Sequence, residues 1–239
     1  MKIALLKPLK ESLFFAFSNK MLCYLCLLNG LLLGNCFVVE AQEKRKFRVV
    51  IDAGHGGKDP GSEASNPKKF FHEKDIVLEV AKKLRHYLEN NIEGVEVLMT
   101  RQDDTFLSLE ARTEFANQAQ ADLFISLHCN SNPLTYIHGV QLHVQDYRFK
   151  NSLWLAHKLN DEFGNRAKRK TFKIQTTGDR QHNLYVLQYT KMPAVLIEMG
   201  FLSHPEEEKF LNSEYGQILL ASAIFRAIRS YQKHKYRPK

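Results

Sequence analysis

Cysteine is nearly absent from the part of this chain that has the composition of a folded domain. Of four cysteines, Cys23, Cys26 and Cys36 fall within the first 41 residues, and only Cys129 lies beyond them. An intrachain disulfide is therefore excluded for the remainder. Cys23-x-x-Cys26 has a redox-like spacing, but it sits in an apolar leader and is incidental. Cys129 follows His128, and neighbours along a strand point to opposite faces, so Cys129 reads as a small buried residue, not a nucleophile. Internal repeats and low-complexity tracts are also missing. One domain with its own core is the natural size estimate.

Charge is missing from residues 21–39, a 19-residue stretch that includes Leu31-Leu32-Leu33. Lys2, Lys7, Lys10 and Lys20 precede it, and Val39-Glu40-Ala41 follows with small or modest side chains where a signal peptidase reads. Residues 1–41 are expected to be an export signal cut after Ala41. The alternative is an uncleaved membrane anchor, since a span needs about 20 residues. Asn29, Gly30, Gly34 and Asn35 weaken that span. Leu33-Gly34-Asn35-Cys36 is a poor lipoprotein signal, with Asn35 where a small residue belongs. Localisation is expected in the periplasm, cell envelope or outside the cell, with membrane contact only if the leader is retained.

Removing the leader takes four lysines and two glutamates from totals of 34 basic and 26 acidic residues, leaving a net charge of +6. The main basic clusters, Lys68-Lys69 and Arg166, Lys168, Arg169 and Lys170, lack the interleaved aromatics that single-stranded nucleic acid would favour. They read as a solvated basic face, with attraction to an anionic polymer second. No nucleic-acid partner is expected.

Residues 42–46 form a charged linker, 47–234 the folded domain and 235–239 a basic tail. Within the domain, strands are expected at 47–53, 95–100, 122–127 and 193–198, and helices at 73–90, 109–118, 151–164 and 213–233. Residues 139–144 alternate apolar with polar and read as a more exposed strand near the sheet edge. Gly164 is a helix stop, Ser213 an N-cap, and Tyr215, Ile218, Leu219, Ser222, Phe225, Ile228 and Tyr231 the buried stripe of the last helix. Residues 166–180 are the least readable. The alternation predicts an α/β fold, a single three-layer domain with a mixed, mainly parallel sheet flanked by helices.

Three apolar strands end in chemistry. Val49-Val50-Ile51-Asp52-Ala53-Gly54-His55-Gly56-Gly57 runs into a glycine bend with His55 at its apex, Ile125-Ser126-Leu127 leads to His128, and Val195-Leu196-Ile197 leads to Glu198. Glu73 opens the first helix. Catalytic zinc takes three ligands from His, Asp, Glu and Cys and keeps a fourth position for water; His55, Glu73 and His128 suit that set. Glu198 is then the carboxylate that moves a proton from water to a leaving nitrogen. A buried strand has no structural need for a terminal carboxylate. Asp52 is expected to brace the bend, with Arg101, Asp104 and Arg112 as a structural ion-pair group. Asn130 shares the face of His128 and is a candidate substrate contact, as is His182; His72 is expected to be exposed.

Val50-Ile51-Asp52-Ala53-Gly54-His55-Gly56-Gly57-Lys58-Asp59-Pro60-Gly61, His72-Glu73-Lys74-Asp75, Leu109-Glu110-Ala111-Arg112, Ala121 to Asn130 and Met192 to Ser203, in that order, resemble the catalytic domain of zinc-dependent N-acetylmuramoyl-L-alanine amidases. The likeness spans about residues 46–232. It implies one Zn2+ bound by His55, Glu73 and His128, catalysis by Glu198, and peptidoglycan or a muropeptide as substrate, cut between the lactyl group of N-acetylmuramic acid and L-alanine. Two rival readings are a muropeptide-binding module without turnover and a zinc peptidase cutting within the stem peptide. Some relatives carry a helical insertion after the second histidine that blocks the site; only residues 131–138 stand there in this chain, so no such gate is expected. Residues 166–183 are the other candidate for a lid or substrate wall. A monomer is expected, and an activator partner stays open.

Overall fold

The computed structural model describes residues 45–180 and 182–236. The expected leader lies outside the described residues, as do most of the linker and the last three residues of the tail. Among the described residues no helix is long and apolar enough to cross a membrane.

A five-stranded sheet in the order β2-β1-β3-β5-β4 organises the domain. Its strands are β1 (Phe47–Ala53), β2 (Val95–Met99), β3 (Leu123–Asn130), β4 (Gln141–His143) and β5 (Ala194–Phe201). The first four in spatial order run parallel, and β4 closes one side antiparallel to β5. The helices are α1 (Glu73–Asn91), α2 (Leu109–Gln118), α3 (Lys150–Asp161), α4 (Tyr185–Tyr189), α5 (Pro205–Asn212) and α6 (Glu214–Lys235).

Strand alternation divides the sheet chemically. Odd-numbered residues of the central strands, such as Val49, Ile51, Leu123, Ile125, Leu127, Val195 and Ile197, join one large core with apolar residues of α1, α3 and α6. Even-numbered Val50, Phe124, Ala194 and Leu196 join a smaller core with Ala116 of α2 and Val186 and Leu187 of α4. Helices on both faces give the three layers that the sequence pattern implies. The thinner layer matters more for function. Asp52, Ser126, His128 and Glu198 share its parity, and the five-residue α4 leaves the carboxyl ends of the strands uncovered on that side.

Several local expectations are corrected. Residues Val140, Leu142 and Val144 are fully buried, not exposed. The strand is indeed last in the sheet, but residues 170–175 cover its free edge: Val140 N donates to Lys170 O at 2.8 Å, Phe172 N to Val140 O at 3.0 Å and Gln175 N to Leu142 O at 2.8 Å. An edge ladder needs such cover, and the strap supplies it. Strand β3 continues past Leu127 through Asn130. Gly164 does not stop its helix; α3 runs on into a π-turn over Glu162–Arg166. In α6, Tyr215 and Ile218 are 70% and 39% exposed, because the buried stripe runs instead through Leu220, Ala221, Ile224, Ala227, Ile228 and Tyr231. Ser213 does cap it, accepting from Gly216 N at 3.0 Å.

Helix α5 went unforeseen, although its signals are in the sequence: His204 accepts from Glu207 N, Pro205 stands at the first turn, and Glu206, Glu207 and Glu208 favour its N-terminus. Glu207 also accepts from Gly139 N at 3.0 Å and Phe201 N at 2.7 Å, and pairs with Arg169.

Because β4 is covered, Leu142→Ala is expected to cost about 2–5 kcal/mol, as for a buried leucine. Denaturant unfolding measures it; a loss under about 0.5 kcal/mol would mean that the strand faces solvent.

Candidate metal centre

Parallel pairing brings the expected residues to one end of the sheet. Ala53 pairs with Leu127 and His128 with Glu198, so the ends of β1, β3 and β5 lie side by side, about 4.8 Å between neighbours. His55 follows β1 in the left-handed backbone region, at φ 59°. Two glycines make room for the rings. A Cβ on Gly54 would lie 2.3 Å from the His128 ring, and one on Gly61 would lie 2.5 Å from Glu73 Oε2.

The bend is held by arginines. Arg112 Nη1 donates to Asp52 Oδ1 and Ala53 O, both at 2.7 Å, and its Nη2 to His55 O at 2.6 Å. Arg101 Nε donates to Ala53 O at 2.9 Å and its Nη2 to Gly54 O at 2.8 Å. Asp52 is wholly buried and also accepts from Thr100 and Ser126 hydroxyls. Burial opposes its ionisation, yet the Arg112 charge and hydrogen bond hold its pKa below the usual value. Asp52 thus braces the bend as expected. The expected ion-pair group does not form as such: Asp104 pairs with Lys74 at 2.7 Å and accepts from Gly57 N, Arg112 pairs with Asp52, and Arg101 bonds backbone carbonyls.

His55 Nε2, His128 Nδ1 and Glu73 Oε1 form a triangle: 3.1 Å between the nitrogens and 3.0 Å from each to the oxygen. His55 Nδ1 faces Asp59 Oδ2 at 2.8 Å, which places the proton on Nδ1 and leaves a lone pair at Nε2. Glu73 is fixed independently, accepting from Ser62 N at 2.7 Å through Oε2 and from Cys129 N at 2.8 Å through Oε1. Three lone pairs so close repel one another unless a cation or proton lies among them. Tetrahedral zinc with bonds of about 2.0–2.1 Å sets ligand atoms about 3.3 Å apart. The triangle is near that size, and two imidazoles with one carboxylate are donors that zinc accepts.

Burial opposes the charge of His55, but hydrogen bonds and charges from Glu73 and Asp59 raise its pKa to about 9. His128 is raised by Glu73 and Glu198 against burial. Glu73 is driven well below the carboxylate range by the same two rings, again against burial. Glu198 behaves oppositely. Burial outweighs the pull of the His128 charge and, with the charge of Glu73, pushes its pKa up to about 7. Its Oε2 is buried with no hydrogen-bond partner among the described residues.

A cleft of about 420 Å3 opens beside the histidines, lined by His55, Asp59, His128 and Leu196 together with Phe106, Leu109, Leu184 and Tyr185. Neither Asn130 nor His182 is among its lining residues. Asn130 follows an irregularity in the β3–β5 pairing, donates to Gln141 Oε1 at 3.0 Å and accepts from Ser131 N. His182 is exposed, next to cleft-lining Asn183. His72 is half-buried, accepting from Ala64 N. His143 is buried with its Nδ1 unpartnered, and burial together with the charge of Arg180 lowers its pKa to about 4. Residues 131–138 hold no helix. Asp59 was missed by the sequence reading; a carboxylate four residues after a candidate ligand histidine was the available signal. Cys129 packs in the main core, facing away from the rings.

Residues 49–230 match the family model described as N-acetylmuramoyl-L-alanine amidase. The chain belongs to the N-acetylmuramoyl-L-alanine amidase family. A putative N-acetylmuramoyl-L-alanine amidase of Buchnera aphidicola subsp. Baizongia pistaciae is 33% identical to it over 210 residues, covering 77% of this chain and 95% of that one. A probable cell wall amidase LytH of Staphylococcus epidermidis is 35% identical over 184 residues; the match takes in 77% of this chain but 57% of that longer relative. The crystal structure of an N-acetylmuramoyl-L-alanine amidase from Clostridium difficile 630 superposes with a TM-score of 0.73 at 33% identity, covering 80% of this chain and all of that one. That solved structure shares the α/β architecture described above.

In protein stripped of metal, a protonated His55 contributes stability that is full below its ordinary pKa of 6.5 and is lost as pH rises through about 9. The Tm of chelator-treated protein is therefore expected to fall across that interval, and saturating zinc, which needs the unprotonated ring, to remove most of the fall. A flat Tm profile without metal would contradict the close packing of these charges.

Proposed function

We propose that this family member is an exported zinc-dependent amidase that hydrolyses the bond between the lactyl group of N-acetylmuramic acid and L-alanine in peptidoglycan. The observation that carries this reading is the His55–Glu73–His128 triangle with a high-pKa carboxylate, Glu198, paired beside it on the next strand. Zinc held by His55, Glu73 and His128 supplies a positive centre that acidifies water and polarises an amide carbonyl.

The side chains divide the remaining work. Glu73, locked by Ser62 N and Cys129 N, keeps its carboxylate in place without relying on the cation. Asp59 holds His55 in the tautomer that presents Nε2 to the centre. With a pKa of about 7, Glu198 exchanges a proton near neutrality: it takes one from the attacking water and delivers it to the leaving nitrogen of alanine. Its unpartnered Oε2 is suited to that traffic. The apolar wall of Phe106, Leu109, Leu184 and Tyr185 excludes water and packs against the substrate. His182, exposed beside cleft-lining Asn183, is an outer substrate contact, whereas the Asn130 amide is taken up by Gln141 and Ser131. Residues 1–41 carry the chain out of the cytoplasm, in keeping with relatives named cell wall amidases.

Mass spectrometry of products from purified peptidoglycan, with and without chelator, tests the bond and the metal together. A free lactyl carboxyl with an intact stem peptide, lost on chelation, is expected. Fragments cut between amino acids would instead make the chain a peptidase, and no products would leave a binding module. Glu198→Gln is expected to retain the metal and lose about 100-fold or more in kcat; equal turnover would remove Glu198 from this role.

A further inference from the structure

Of the seven buried side-chain polar atoms without a hydrogen-bond partner among the described residues, four lie on or beside β4 and β5, and the other three belong to Asn160, Arg169 and Tyr231. The four are His143 Nδ1, Gln145 Oε1, Arg180 Nε and Glu198 Oε2. His143 and Gln145 belong to β4 and its continuation, Glu198 to β5, and Arg180 to the segment that follows the strap over β4. His143 pairs with Leu196, which lines the cleft, and Gln141 pairs with Glu198, so His143 shares the face on which the chemistry sits. His143 is 7% exposed. Native proteins rarely leave buried polar atoms unused, and such a cluster asks for a ligand.

Arg180 supplies the positive charge in this group. Arg112, Arg169 and Arg226 each pair with a carboxylate, whereas Arg180 has none within ion-pair distance among the described residues. The adjacent Asp179 is engaged elsewhere, by Thr176 N and Oγ1 at 2.8 Å, by Lys173 and by the Tyr147 hydroxyl. Arg180 Nη1 donates to Val144 O at 3.1 Å and Gln175 O at 3.4 Å, and Nη2 to Thr177 Oγ1 at 3.2 Å. Three of the five N–H donors of a guanidinium are thus spent. The two that remain, on Nε and Nη2, form the edge that grips a carboxylate with two parallel hydrogen bonds. Thr177 in turn lies 3.5 Å from the side chain of Asn183, a lining residue of the cleft.

We propose that Arg180 recognises a carboxylate on the peptide part of the substrate and makes the enzyme discriminate the acid from its carboxamide. This rests on the amidase reading and adds a substrate preference to it. The backbone contacts to Val144 and Gln175 position the guanidinium; its unspent edge and uncompensated charge select the ligand.

The test compares two synthetic muramyl peptides that differ only in a free carboxylate or a carboxamide on the residue after L-alanine, cleaved by the zinc-loaded full chain and by Arg180→Gln and Arg180→Lys. A charged hydrogen-bond pair is worth about 10- to 100-fold in affinity. Wild type is expected to favour the acid by about tenfold or more in kcat/KM, mainly through KM. Arg180→Gln should bring the acid-to-amide ratio within about threefold of unity, and Arg180→Lys should restore part of the preference, which a merely structural arginine would not do. Equal handling of the two peptides by wild type overturns the proposal whether or not the variants fold, as does a variant that slows both peptides alike with the ratio kept. Failure of wild type to release a lactyl carboxyl from either peptide is the distinct signature of a failed amidase reading, and it overturns this proposal as well.

Discussion

Three electron-rich atoms from distant parts of the chain stand about 3 Å apart at the rim of the sheet. With neither a cation nor a proton among them they would separate, because lone pairs repel and a buried carboxylate is costly to desolvate. Much of the surrounding structure opposes that separation. Arg101 and Arg112 grip the carbonyls of Ala53, Gly54 and His55, Asp52 neutralises Arg112 from below, and Ser62 N and Cys129 N hold Glu73. An arrangement held this firmly is preorganised for the cation that the proposed function assigns to it.

The division of labour between the two faces of the sheet makes this affordable in stability. The large core under α1, α3 and α6 is almost wholly apolar and supplies the burial that folds the domain. The opposite face has a smaller core, so its upper part can carry Asp52, Ser126, His128 and Glu198 and still open to a cleft. Ligand sites outside the carboxyl ends of parallel strands are the general rule for open α/β sheets. Beyond the strap over β4, the Thr177 hydroxyl lies 3.5 Å from the side chain of cleft-lining Asn183.

Much of this was legible in the sequence, for identifiable reasons. Continuous apolar runs at Val49–Ile51, Leu123–Ile125 and Val195–Ile197 announce buried strands, and the residues ending them stand out because a core does not need them. Helix α1 keeps a clean period through Val77, Val80, Ala81, Leu84 and Leu88, all buried. What failed depended on tertiary partners. Alternation in residues 139–144 cannot reveal that residues 170–175 fold back as cover, and α6 has apolar residues on several sides, so its buried stripe was misplaced. Helix α5 is short and led by three glutamates, a pattern whose apolar signal is weak. Asp59 and Ser62 lie in the irregular segment after β1 and act through hydrogen bonds to His55 and Glu73, where hydrophobic period carries no information.

X-ray absorption at the zinc edge, on protein purified without added metal and then titrated with one equivalent of zinc, tests most directly whether His55, Glu73 and His128 share one ion. The account predicts one tightly held zinc per chain with two imidazole ligands, oxygen donors completing the set and no sulfur, and loss of an imidazole signal in His128→Ala. A spectrum showing thiolate from Cys129, or a zinc coordinated only by water and unaffected by that substitution, would contradict it.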